Sequence, residues 1–157
     1  MLNKEQTLDM IRQAGKADAT VLQTRADNLT GTQLNEETVK LPTFKAACQL
    51  KNMLERSSGF VCKSSMGRVV KLLQPYDSTI YTQEPEELPA QWGFVWSQNP
   101  KHALPFISLS TSTYNKGDCC TYDEHVWRSG IDNNVWAPGT PNVAWEDLGT
   151  IADVIGG

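Results

Sequence analysis

The 157 residues suffice for one domain or for two or three small modules. A net charge of −4 with 20% charged residues provides no basic stripe to neutralise phosphates, which excludes a nucleic-acid partner. Apolar runs such as ALPFISL are too short to span a bilayer and contain Pro105, so no membrane-spanning segment is present in the sequence and no membrane partner is expected. Among the cysteines, Cys48 and Cys62 stand alone and Cys119-Cys120 are adjacent, with no Cys-x-x-Cys. That spacing suits neither a disulfide framework nor a zinc site, so reduced thiols acting as small hydrophobes are expected. The opening MLNKEQTLDM carries charge where an export signal needs an apolar core, so none is expected.

In chain order, the first part predicts helix. Asn3 can cap KEQTLDMIRQA, with Gln6 at the third helical position and Leu8 and Ile11 one turn apart, before a break at Gly15. KADATVLQTRADNL then places Ala17, Val21, Leu22, Ala26 and Leu29 near one face ahead of Gly31. After Leu41-Pro42, Thr43 can cap a further helix, FKAACQLKNMLER, ending near Gly59. Its apolar stripe is Phe44, Ala47, Cys48, Leu50 and Leu54. Helices this short are marginal alone, so each needs the rest of the chain, or another copy, to pack against.

Beyond Gly59 Val, Thr, Tyr and Trp rise, Pro and Gly punctuate, and short runs such as RVVKLL and FISLS replace helical spacing. This part should be β-rich, and it carries a weak tandem repeat. Gly59 and Cys62 match Gly117 and Cys120, and Val69-Val70 match Val126-Trp127. Asp77 followed four residues on by Tyr81 matches Asp132 followed four on by Trp136. Pro85 precedes Trp92 by seven residues, as Pro138 precedes Trp145. Modules this small bury thin cores, so some rings must be structural; burying one contributes about 2–3 kcal/mol.

The order Tyr114, Gly117-Asp118, Tyr122, Val126-Trp127, Trp136, Pro138 and Trp145 resembles the small chitin-binding carbohydrate-binding modules of families 5 and 12. Gly59 to Trp92 resembles the same pattern more weakly, through KLLQPYDS and PEELPAQW. The form IDNNVWAP…W also looks like modules at the ends of tail-associated proteins of phages and prophages of Gram-positive bacteria. The resemblance implies compact three-stranded modules that bind polysaccharide and catalyse nothing. Two departures stand out. Ile131-Asp132 occupies the place of the family's adjacent aromatic pair, and Asp123-Glu124 must form a hairpin turn without the family's glycine. The predicted architecture is α+β. A helical region over 1–58 anchors or oligomerises the chain, a degenerate β module covers 59–106, and a carbohydrate-binding-module-like β module covers 107–157.

The candidate ligand-binding residues are Trp136, Asn133, Asn134, Tyr122 and Asp132. Trp136 sits between Asn133-Asn134 and Ala137-Pro138, where its ring either offers a flat face to a sugar or covers the module's own core. The asparagines would supply hydrogen bonds, and Tyr122, beside the hairpin, suits either role. Trp127 and Trp145 fall at strand-like positions and belong to the core.

No catalytic site is expected. His125 beside Asp123 and Glu124 has no nucleophile at a recognisable spacing, and Glu84, Glu86-Glu87 and Glu146-Asp147 read as solvated turn carboxylates. SSMGRVV lacks the glycine spacing and lysine of a phosphate loop. No cofactor and no metal are called for. The expected partners are a cell-surface or cell-wall polysaccharide, other virion proteins and further copies of the chain. The expected location is the virion, after synthesis in the host cytoplasm. A purely structural role as a decoration, fibre or baseplate piece is the alternative.

Overall fold

In the computed structural model, residues 30–156 are described. The helices expected within residues 4–29, with Leu8, Ile11, Val21, Leu22 and Leu29, lie outside the described residues. The described chain is mixed α+β, with short helices and two β-sheets.

Gly31 opens a helix instead of ending one. In α1 (Gly31–Glu36) the Thr30 hydroxyl accepts from the Gln33 N–H at 3.1 Å, and the Gln33 side chain accepts from the Thr30 N–H at 2.9 Å. This is a capping box, written in the sequence as Thr-Gly-Thr-Gln. Gly31 is needed here because a Cβ would lie 2.4 Å from the Trp96 carbonyl oxygen. The buried Asn35 amide donates to Gly31 O and to Val95 O, tying α1 to the first sheet.

Thr43 caps α2 (Phe44–Leu50) as expected, its hydroxyl accepting from the Ala46 N–H. The helix stops at Leu50, well short of Gly59, because Asn52 diverts the backbone. Its side-chain oxygen accepts from the Leu54 and Ser78 N–H groups, and its amide donates to Asp77. A 3-10 turn, Met53–Glu55, follows. Of the expected stripe, Phe44 and Ala47 are buried, Cys48 is half-buried, and Leu50 and Leu54 are exposed.

The first sheet joins β1 (Val61–Lys63), β2 (Val69–Leu72) and β3 (Trp92–Val95) in antiparallel order. The second joins β4 (Leu104–Pro105), β5 (Cys119–Tyr122), β6 (His125–Ser129) and β7 (Trp145–Thr150). It is therefore four-stranded where three strands were expected, with β4 parallel to β5. Asp123 and Glu124 make the β5–β6 turn with φ of 49° and 63°. Both lie in the left-handed region that disfavours side chains. Glu124→Gly is accordingly expected to raise stability by about 0.5–1 kcal/mol, read as a higher denaturant midpoint at unchanged slope.

The repeat extends to the hydrogen bonds. Cys62 pairs with Val70 as Cys120 pairs with Trp127, and Trp92 pairs with Leu72 as Trp145 pairs with Ser129. Gly59 N–H donates to Leu72 O at 2.7 Å, and Gly117 N–H to Ser129 O at 2.8 Å. Leu73 N–H donates to Gln91 O and Gly130 N–H to Ala144 O, both at 2.7 Å. Gly59 and Gly117 share positive φ, at 96° and 98°.

The two units nevertheless share one core. Phe94 stacks on Trp96, Trp96 on Tyr114 and Tyr114 on Phe106, at centroid distances of 5.8, 4.4 and 5.4 Å. Trp145 meets both Tyr114 and Phe106 edge-on. The same cluster holds Cys62, Val70 and Trp92 from the first unit and Cys120 from the second. β4 lies before residue 106 yet pairs with β5, so the second sheet begins inside the span expected for the first module. Smaller clusters cover the outer faces: Leu34 and Leu41 lie over Val61 and Val69, and α3 (Ile151–Val154) lies over Cys119 and Val126. Among the described residues no helix is long and apolar enough to cross a membrane.

Candidate functional site

The Trp136 loop is fixed from beneath by its own backbone. Asn134 forms an isolated bridge with Tyr114: Asn134 N–H donates to Tyr114 O at 2.8 Å and Tyr114 N–H to Asn134 O at 3.0 Å. The Asn134 side chain donates to Ser129 Oγ at 3.1 Å and accepts from the Trp136 N–H at 3.2 Å. Ser108 Oγ donates to Val135 O at 2.7 Å, and the Trp145 indole N–H donates to Trp136 O at 2.9 Å. Pro138 is buried. With residues 134, 135 and 136 each anchored, the Trp136 ring stands 48% exposed on a stiff support. Its alternative role as a cover of the core is met by other rings, chiefly Tyr114 and Trp145.

The other candidates divide. Asn134 is fully buried and its amide is spent on the loop, so the expectation that it hydrogen-bonds a ligand is corrected: it is a scaffold residue. Asn133 is exposed at φ 54°, its N–H donating to the Asn115 side chain. Asp132 is also exposed and accepts from the Lys116 N–H at 3.0 Å, steadying the turn ahead of β5. Tyr122 is 42% exposed, and its ring meets Phe106 edge-on at 5.9 Å.

Phe106 completes the surface and was not anticipated. It touches Tyr122 on one side and Trp145 on the other, and Trp145 in turn holds the Trp136 carbonyl. Tyr122, Phe106 and Trp145 therefore form a connected series of rings, joined to the exposed Trp136 residue through the hydrogen bond to its backbone carbonyl. The short β-like run FISLS, which begins at Phe106, was the available signal. Trp127 and Trp145 are half-buried and pack against the shared core. The Trp127 indole N–H donates to Tyr122 O at 3.1 Å and locks the hairpin from which Tyr122 projects.

Nearby ionisable groups are structural in their contacts. His125 Nδ1 lies 2.9 Å from Asp147 Oδ1, and this hydrogen bond holds the Asp147 carboxyl below its usual range. Burial pushes the Asp118 carboxyl up, opposed by the Asn115 N–H that it accepts. The four cysteines are free, and burial pushes each thiol up, away from the thiolate form that reacts. Glu86 is held by Arg68, and Glu146 lies 3.9 Å from Arg128. An arrangement of this kind can present flat apolar faces flanked by polar groups. No family model, curated protein or solved structure matches the chain.

Proposed function

We propose that this protein is a non-catalytic glycan-binding accessory component of a phage or prophage particle. In this reading it stacks sugar rings on exposed aromatics, with each three-strand repeat a carbohydrate-binding module of the chitin-binding type. The observation that carries the proposal is the half-exposed Trp136 ring on a loop anchored at three successive residues. A pyranose has an apolar face that gains by lying on an indole, and a ring already held in place loses little entropy on binding. Tyr122, at the other end of the aromatic series, would take a second sugar of the same polymer, with Asn133 and Asp132 near Trp136 as polar partners.

The test is retention of the full chain on insoluble chitin and on purified peptidoglycan. Trp136→Ala is expected to weaken binding by about 2 kcal/mol, roughly thirtyfold, while the melting temperature stays near wild type. Trp136→Tyr should recover part of the loss. Failure of the wild type to be retained on either material would overturn the reading, as would equal retention of Trp136→Ala.

Exposed Leu50, Leu54 and Ile80 favour a second reading, a structural virion component that contacts other copies or other virion proteins. In that case light scattering would show concentration-dependent assembly, with no polysaccharide retention.

A further inference from the structure

The shared register sets a second loop in the position of the Trp136 loop. Asp77 and Tyr81 of the first unit correspond to Asp132 and Trp136 of the second, between strands whose pairing matches from Leu72↔Trp92 to Val70↔Phe94 and from Ser129↔Trp145 to Trp127↔Asp147, before a bulge shifts β6 against β7. Tyr81 is 53% exposed, close to the exposure of Trp136. Its turn is likewise anchored. Asp77 O accepts from the Ile80 and Tyr81 N–H groups, and Asp77 Oδ1 accepts from Asn52 Nδ2 and the Thr79 N–H. Ser78 is held by Asn52 and by the Met53 N–H.

Between this turn and α2 lies a cleft of about 350 Å³. Buried Phe44 and half-buried Cys48 give it an apolar lining, Lys45, Gln49, Ser78, Thr82 and Glu84 a polar one, and Tyr81 stands outside the lining, next in the chain to Thr82. An apolar lining beside a few donors and acceptors is the chemistry that a sugar ring requires. We infer that Tyr81 and this cleft form a second saccharide-binding position, so that the chain engages one polysaccharide through two units. The inference rests on the reading of Trp136 as the first position. Bivalent engagement strengthens attachment to a polymer without requiring either site to bind a short sugar tightly.

The experiment is a titration of the isotope-labelled full chain with soluble N-acetylglucosamine tetramer, following backbone amide signals, for wild type, Tyr81→Ala, Trp136→Ala and the double variant. Two separate groups of shifting amides are expected, at residues 78–84 and 133–138, each abolished by its own variant. Retention on insoluble chitin should fall at least tenfold for Tyr81→Ala. Shifts confined to 133–138, with Tyr81→Ala retained like wild type, would overturn the second position and leave the first standing. Shifts confined to 78–84 would overturn the Trp136 reading and, with it, engagement through two units, and no shift at all would overturn both positions. Loss of self-association in Tyr81→Ala with unchanged sugar binding would assign the loop to protein contact and overturn the inference.

Discussion

Arg68→Ala should lower the unfolding free energy by about 3–5 kcal/mol, a fall in melting temperature of roughly 10 °C. Arg68 is 4% exposed, and its guanidinium donates three hydrogen bonds to two acceptors. Nη1 reaches Glu86 Oε1 at 3.0 Å, while Nε and Nη2 both reach Pro105 O, at 3.2 and 2.7 Å. The first contact fixes the 3-10 turn Pro85–Glu87 against the first sheet, and the others hold β4, which belongs to the second. Glu86 also accepts from Ser64 Oγ, but its Oε2 has no hydrogen-bond partner among the described residues. Removing the guanidinium would leave a largely buried carboxylate short of the countercharge it has among the described residues, the costly outcome when one partner of a buried pair is deleted. Arg68→Ala with Glu86→Gln should therefore recover part of the loss, measured by denaturant unfolding of both single variants and the double. A single-variant loss below about 1 kcal/mol would show that the pair contributes no more than a surface ion pair.

Much of the β half was legible because its signals are local. Gly59 and Gly117 mark left-handed backbone, the paired strands follow the matched positions Cys62 with Val70 and Cys120 with Trp127, and Pro85 and Pro138 mark buried turns ahead of the closing tryptophans. Thr43 was readable as a cap for the same reason. What escaped depends on residues distant in sequence. The early end of α2 requires Asp77 and Ser78 to receive Asn52. The parallel strand β4 is two residues long, too short to show any alternation. Asn134 read as a hydrogen-bonding partner for a ligand because it lies beside Trp136 in the loop, whereas its backbone bridge to Tyr114 draws it inside. Arg68 carried no sequence signal of its role, which depends on the Pro105 carbonyl and Glu86 converging on it. Trp136 remained undecided between platform and plug because that choice depends on which other rings fill the core.

Those rings carry the last prediction. Tyr114→Ala should destabilise the protein by about 3–5 kcal/mol, and both sheets should lose structure in the same transition. Tyr114 is fully buried, with Trp96 stacked 4.4 Å to one side and Phe106 5.4 Å to the other. Trp96 follows the last strand of the first sheet, whereas Phe106 follows the first strand of the second, so this ring sits at the junction of the two repeats. Its hydroxyl accepts from the Ile107 N–H at 3.3 Å, a long bond. Tyr114→Phe removes only that acceptor and should cost about 1 kcal/mol, which separates the ring from its hydroxyl. The decisive measurement follows amide signals of β2 and β6 through a denaturant titration of Tyr114→Ala. Coincident midpoints are expected if the stacked rings make the repeats a single cooperative unit. If β6 were lost while β2 kept its wild-type midpoint, each repeat would be stabilised by its own core. The aromatic stack would then be a contact between independent modules, and the anchored Trp136 loop would depend on the second module alone.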